Sequence, residues 1–201
     1  TYYTGIIIFK ALILAAGRGT RLRPLTEKYA KPALPVLGVP GLWYPAWWLA
    51  RDLGIRDFAV NAGHASETIR QAVLDEQMVA ATGIHFHVSD ESEEILGSSG
   101  ALWKLKDWIG KSTLLVSNGD TISFPAWKKM VEFHRKSGAK LTVHVRSFSS
   151  ENEKYRTIGF DDSGRVHTLG EKSDTGVLFS GNYIIEPDIL SLLPKGVSEL
   201  V

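Results

Sequence analysis

The sequence predicts an α/β fold: a Rossmann-like, doubly wound, mostly parallel sheet with an antiparallel addition in its C-terminal part. Three observations carry this expectation. Up to Ser149, short runs of β-branched and aliphatic residues alternate with helix-like stretches, as in βαβ units whose helices cover both faces of a parallel sheet. The first of these runs ends in a cationic loop punctuated by glycine. After Ser149 the alternation stops, and extended runs joined by turn residues take over.

The elements follow in order. Lys10–Ala15 reads as a buried strand, followed by the glycine loop and a helix over roughly 41–53. Asp57–Asn61 is a second strand, with a helix from about 65 to 78 after it. Ile84–Val88 is a third strand, Ser99–Trp108 a helix and Ser112–Ser117 a fourth strand. Pro125 suits a first helical turn and opens a helix to about Lys136, before a fifth strand at Lys140–Arg146. Ile158–Asp161 and Val166–Leu169 flank the hairpin signal Asp161-Asp162-Ser163-Gly164. Gly176–Ile185 is a further extended run, with a short helix beginning near Pro187. No repeat, low-complexity tract or linker interrupts the chain, so residues 1–201 read as one domain.

Composition narrows the function classes. With 201 residues and a net charge of +1, the chain lacks the strongly basic balance of a nucleic-acid binder. The cations of the opening loop are therefore a local feature aimed at a small anion. There is no cysteine, which excludes disulfides and thiolate metal sites and suits a cytoplasmic protein. The apolar run GIIIFKALILAA is broken by Lys10 and is too short to span a bilayer. It also lacks the basic segment and cleavage site of a signal peptide, so residues 1–9 read as an extension ahead of the fold. No membrane or nucleic-acid partner is expected, and the protein should be a monomer or small homo-oligomer.

In open α/β sheets the ligand lies beyond the carboxyl ends of the strands. That brings together the loop after Ala15, the segment Asn118-Gly119-Asp120, and the loop before the Ser99 helix. The stretch LAAGRGTRLRPLTEKYAKPALPVLGVP, from Leu14 to Pro40, holds five basic residues (Arg18, Arg21, Arg23, Lys28, Lys31) against one acid, Glu27. Glycine backbone approaches a ligand closely, and its amides can point at phosphate oxygens. Arginine adds paired hydrogen bonds to phosphate and lysine adds a point charge. The stretch lacks the Gly-Lys-Ser/Thr ending of a P-loop and the third glycine of the dinucleotide fingerprint. The histidines offer no metal spacing: His85 and His87 share a strand face, and His64 reads as structural. Trp43, Trp47 and Trp48 fall on the first long helix, with 43 and 47 one turn apart, and core packing is favoured over a partner surface.

The full stretch LAAGRGTRLRPLT…KPALPVLG resembles the signature of the sugar-1-phosphate nucleotidyltransferases, and later segments follow in the family's order. Gly97-Ser98-Ser99-Gly100-Ala101-Leu102 resembles its LGTAGAL-type loop, and Asn118-Gly119-Asp120 its NGD metal segment. Gly170-Glu171-Lys172 resembles its EKP motif, with Ser173 where proline is usual. Ser180-Gly181-Asn182-Tyr183 resembles its TGIY segment. GIRDFAVNAGHASETI is similar to a stretch of the short bacterial subgroup of N-acetylmuramate-1-phosphate uridylyltransferases and mannose-1-phosphate guanylyltransferase-like proteins, with Gly63 in place of the first His of a pair.

The resemblance implies attack of a sugar 1-phosphate oxygen on the α-phosphorus of a nucleoside triphosphate, with release of pyrophosphate. Both substrates are polyanions, so positioning and charge neutralisation dominate. Carried over residue by residue, Ala15, Gly17, Arg18, Gly19, Thr20, Arg21, Ser98 and Gly100 are expected at the nucleotide. Arg21 and Lys31 should face the reacting phosphates, and Asp120 should hold Mg²⁺. Asn118, Gly159, Glu171, Lys172 and Ser180 are expected at the sugar phosphate. UTP and an amino sugar are favoured, with GTP and a mannose- or heptose-type sugar next. The family's second metal-binding aspartate, in a GxWxDIGTP-like segment, has no counterpart in this sequence, so the domain is expected to lack its C-terminal end. Two other readings stay open: a phosphocholine cytidylyltransferase using a tryptophan cage, and a non-catalytic subunit that senses a nucleotide sugar.

Overall fold

The structure, a computed structural model, describes residues 8–147, 157–169 and 177–200. Strand β1 (Phe9–Leu14) is followed by a 3₁₀ turn over Thr20–Leu22, the short helix α1 (Leu25–Lys28) and a second 3₁₀ turn over Lys31–Ala33. A small antiparallel hairpin, β2 (Pro35–Val36) and β3 (Val39–Pro40), leads into α2 (Trp43–Leu53). The chain continues through β4 (Asp57–Ala62), α3 (Ser66–Val73), α4 (Glu76–Thr82) and β5 (His85–Asp90). Helices α5 (Gly97–Lys104) and α6 (Lys106–Ile109) precede β6 (Thr113–Asn118) and α7 (Trp127–Ser137). Then come β7 (Leu141–Ser147), β8 (Thr157–Phe160), β9 (Val166–Leu169) and β10 (Val177–Ile185), and a 3₁₀ turn over Pro187–Leu192.

The main sheet runs β5-β4-β1-β6-β10-β8-β9, with β7 also paired to β10. β5, β4, β1 and β6 are mutually parallel, whereas β10 lies antiparallel to β6. This is the expected parallel sheet with its antiparallel addition. From β1 the chain winds outward through β4 and β5, then crosses back to place β6 on the other side of β1. The direction reverses there, and a crevice opens beyond the carboxyl ends of β1 and β6.

Alternating side chains of β1 build a core on each face. Ala11 and Ile13 pack with Trp43, Leu49, Ile69 and Trp127, whereas Leu12 packs with Leu102, Ile109, Leu114 and Val116. A strand buried on both faces reads as a continuous apolar run, which is why Ala-Leu-Ile-Leu is legible as β1. Two helix expectations are corrected. The stretch expected as one helix over 65–78 is broken at Leu74-Asp75, where the Asp75 side chain accepts from Met78 N at 3.0 Å and starts α4. The helix expected over 99–108 starts at Gly97 and breaks at Leu105.

The tryptophans part company. Trp43 is fully buried and donates to the Ala72 carbonyl at 2.8 Å. Trp47, one turn on, is 39% exposed and lies against Arg51, while Trp48 donates to the Pro125 carbonyl at 2.9 Å. Among the described residues no helix is long and apolar enough to cross a membrane.

Candidate active site

The crevice holds two adjoining clefts. The narrower, of about 250 Å³, is lined by Ala15, Gly17 and Gly19 after β1, Lys31 in its 3₁₀ turn, Ser98, and Asn118 and Asp120 after β6. The broader, of about 840 Å³, shares Lys31, Ser98, Asn118 and Asp120 and extends past Arg21 to Ser180 on β10. Residues as distant in sequence as Ala15 and Ser180 thus meet because the ends of β1, β6 and β10 meet.

At the junction Lys31 Nζ lies 2.7 Å from Asp120 Oδ2, each side chain about one third exposed. The loop that delivers Lys31 is tied from within. Gly19 adopts φ +58°, and a Cβ there would stand 3.0 Å from both the Lys31 Cβ and Thr26 Cγ2. A left-handed backbone in such close contact favours glycine. The buried Thr26 hydroxyl donates to the Gly19 carbonyl at 2.9 Å, and Leu22 N donates to the same carbonyl at 2.9 Å.

A second set of contacts, which motif reading missed, joins the strand ends. Ala15 N donates to Asn61 Oδ1 at 2.7 Å, and Asn61 Nδ2 donates to Glu91 Oε1 at 3.1 Å. Glu91 Oε2 accepts from Leu96 N at 3.0 Å. The Glu91 side chain is buried, and burial pushes its carboxyl above the ordinary range despite these hydrogen bonds. Asn61 and Glu91 therefore hold the β1 end and the loop entering α5 to one another. The available signal was a polar residue near the end of the apolar run of β4 and an acid just after β5.

The C-terminal segment covers the start of α5. Ser98 donates to Glu199 Oε2 through its backbone N at 3.0 Å and its hydroxyl at 2.6 Å. Ser99 N and Gly100 N both point at the Ser198 carbonyl, at 3.1 and 3.3 Å. A Cβ on Gly100 would collide with the Gly196 carbonyl; this glycine lies beneath residues 196–200 and does not line either cleft.

Other expected residues are placed apart. Arg18 and Thr20 are exposed and line neither cleft. Gly159 pairs with Thr168 across the β8–β9 ladder, away from the lining, while its neighbours Thr157 and Ile158 reach the broader cleft. Glu171 and Lys172 lie outside the described residues. No tryptophan lines either cleft. Among the described residues no group of three or more His, Cys, Asp or Glu could enclose a metal ion. Asp120 supplies one partly exposed carboxylate at the strand end, a hard oxygen donor suited to a divalent cation shared with phosphate oxygens.

Comparison with known proteins agrees with this geometry. A family model described as "Nucleotidyl transferase" matches residues 10–200. A UTP–glucose-1-phosphate uridylyltransferase from Synechocystis is 31% identical over 93% of this chain and 51% of its own length. A mannose-1-phosphate guanylyltransferase from Mycobacterium tuberculosis is 26% identical over 92% of this chain and 51% of its own length. This chain thus spans about half the length of these two relatives. In fold it is similar to the crystal structure of HddC from Yersinia pseudotuberculosis, with a TM-score of 0.77 at 24% identity over 93% of this chain and 80% of that one. A family match across nearly the whole chain and a crevice built from the same segments lead to one conclusion: the chain belongs to the nucleotidyl transferase family.

Proposed function

We propose that the complete protein transfers a nucleotidyl group from a nucleoside triphosphate to a sugar 1-phosphate. The observation that carries this reading is the Lys31–Asp120 pair, held at 2.7 Å where the glycine loop meets the end of β6. It provides a cation for phosphate and an anion for metal at one point, which a reaction between two polyanions requires. In the proposed reaction a phosphate oxygen of the sugar 1-phosphate attacks the α-phosphorus, and the bond to the β-phosphate oxygen breaks as pyrophosphate leaves. Such a displacement depends on positioning and charge neutralisation.

The nucleotide would occupy the narrower cleft, against the backbone of Ala15, Gly17 and Gly19 and beside Ser98. Arg21 and Lys31 would neutralise the phosphates, and Asn118 and Ser180 would meet the sugar phosphate in the broader cleft. Mg²⁺ on Asp120, when bound, supplies further neutralisation of the reacting phosphates. UTP is the favoured donor, supported by the 31% identity to the Synechocystis uridylyltransferase, with GTP next. No tryptophan lines either cleft, so the tryptophan cage of the phosphocholine reading has no support there. A cysteine-free sequence suits a cytoplasmic enzyme.

The test is pyrophosphate release by the complete protein, with Mg²⁺ and each of UTP, GTP, CTP, ATP and dTTP against a panel of glucose, mannose, N-acetylglucosamine, N-acetylmuramate and heptose 1-phosphates. Release with UTP and one sugar is expected. Silence across the panel would sink the enzymatic reading.

A further inference from the structure

The broader cleft contains a polar relay that the reading above leaves unused. Between β7 and β10 the ladder slips. Val145 faces Phe179 and Val143 faces Tyr183, so His144 alone stands opposite Ser180, Gly181 and Asn182. Such a bulge re-aims side chains. Gly181 adopts φ +82°, and a Cβ there would stand 2.7 Å from Asn118 Nδ2. The bulge is thereby pressed against the end of β6, and Ser180 lines the cleft.

The hydrogen bonds fix which atoms donate. Asn182 is 1% exposed. Its Nδ2 reaches the Ser180 carbonyl at 3.2 Å, Ser180 Oγ at 3.0 Å and Ser123 Oγ at 3.0 Å, and its Oδ1 accepts from Ser117 Oγ at 2.7 Å. A carbonyl only accepts, so the amide nitrogen lies on the Ser180 side; with two hydrogens for three oxygens it gives one to Ser123 Oγ and shares the other between the Ser180 carbonyl and Ser180 Oγ. His144 Nδ1 lies 2.7 Å from the same oxygen. A serine hydroxyl has one hydrogen and two lone pairs, and Asn182 takes one lone pair. If Nδ1 is bare, it accepts the Ser180 hydrogen, and the second lone pair faces the cleft. If Nδ1 carries a hydrogen, it takes that lone pair, and the Ser180 hydrogen is released toward the cleft.

We propose that His144 is a positioning residue for the sugar end of the substrate: its bare Nδ1 takes the Ser180 hydrogen and leaves Ser180 Oγ as an acceptor for one sugar hydroxyl. The inference rests on the sugar 1-phosphate reading above. Burial holds the His144 pKa below its ordinary 6.5, so the ring is neutral at physiological pH and the acceptor form of Ser180 is available. The ionisable groups around the same cleft are Arg146 on β7, Tyr183 on β10, Asp120 after β6, Arg21 and Lys31 from the opening loop, and Glu199. Protonation places hydrogen on both ring nitrogens and reverses the Ser180 hydroxyl.

The experiment uses the complete enzyme with whichever sugar 1-phosphate of the panel above the wild type turns over. His144→Val should raise KM for the sugar phosphate about fivefold, the equivalent of one hydrogen bond, while KM for the triphosphate and kcat stay within about twofold. His144→Asn offers an oxygen where Nδ1 stood and does not titrate. It should keep the wild-type KM near neutrality and lack a rise in KM that the wild type shows as pH falls below 6.5. An unchanged KM in His144→Val, a parallel rise in both KM values, or the same acid-side rise in His144→Asn overturns the proposal. If His144→Val does not fold, His144→Asn decides. An active wild type with indifferent variants sinks this inference alone, whereas a wild type silent with every sugar 1-phosphate sinks the proposed function and this inference with it.

Discussion

Lys31 and Asp120 form an ion pair about one third exposed on each side, and pairs this open contribute only about 0–1 kcal/mol to stability. In the proposed reaction their value lies in chemistry. Asp120→Ala and Arg21→Ala are each expected to lower turnover on the order of a hundredfold or more, with the melting temperature shifted by no more than about 2 °C. Turnover assays beside scanning calorimetry check this, and a fall in stability matching the fall in rate would make these residues structural. Thr26 should behave in the opposite way. Its buried hydroxyl holds the Gly19 carbonyl, so Thr26→Val should cost about 1–2 kcal/mol and weaken triphosphate binding. Denaturant unfolding and nucleotide titration measure the two effects. Lys31 and Asp120 were legible because each stands in a distinctive segment. Thr26 stands in the same quoted stretch, but nothing in the sequence says that its hydroxyl holds the Gly19 carbonyl seven residues back through a turn.

The elements tie the site together at their ends. Asn61 is the penultimate residue of β4 and Glu91 follows β5, and between them they connect Ala15 N to Leu96 N. The Glu91 pKa is raised above 4.5 by burial, so the folded protein holds this proton more tightly than the unfolded chain. Glu91 therefore favours folding most below pH 4.5, and that contribution fades as pH rises through the higher folded pKa. Glu91→Gln removes the titration. The stability of the wild type relative to this variant should fall as pH rises above 4.5, read from melting temperatures across a pH series. At the other end of β4 lies the α3–α4 break. Asp75→Ala should cost about 1 kcal/mol by removing the cap on α4, measurable by urea unfolding. Apolar periodicity over 65–78 favoured one continuous helix, and a single aspartate side chain turned back on Met78 N was enough to divide it.

At the scale of the whole molecule the site is a by-product of winding. Both sheet faces are packed, so the strand ends at the switch point are held from both sides while the loops beyond them stand free of the core. A triphosphate that binds only the folded protein should therefore stabilise it, by about 2.7 kcal/mol at a hundred times its Kd. UTP with Mg²⁺ is expected to raise the melting temperature in thermal-shift measurements. Absence of any shift with every nucleoside triphosphate would argue against a nucleotide site in the narrower cleft. The sequence by itself determined the alternation of strands and helices, the parallel sheet with its antiparallel addition, and the family, because periodicity and contiguous motifs are local. Only the tertiary structure decided that β10 returns beside β6 to bring Ser180 to the cleft, with His144 hydrogen-bonded to it. It likewise decided that Asn61 and Glu91 brace the glycine loop, and that the segment carrying Glu199 lies over Ser98 and Gly100. These contacts join residues tens to a hundred positions apart, and no local pattern encodes a hydrogen bond that exists only once the sheet has assembled.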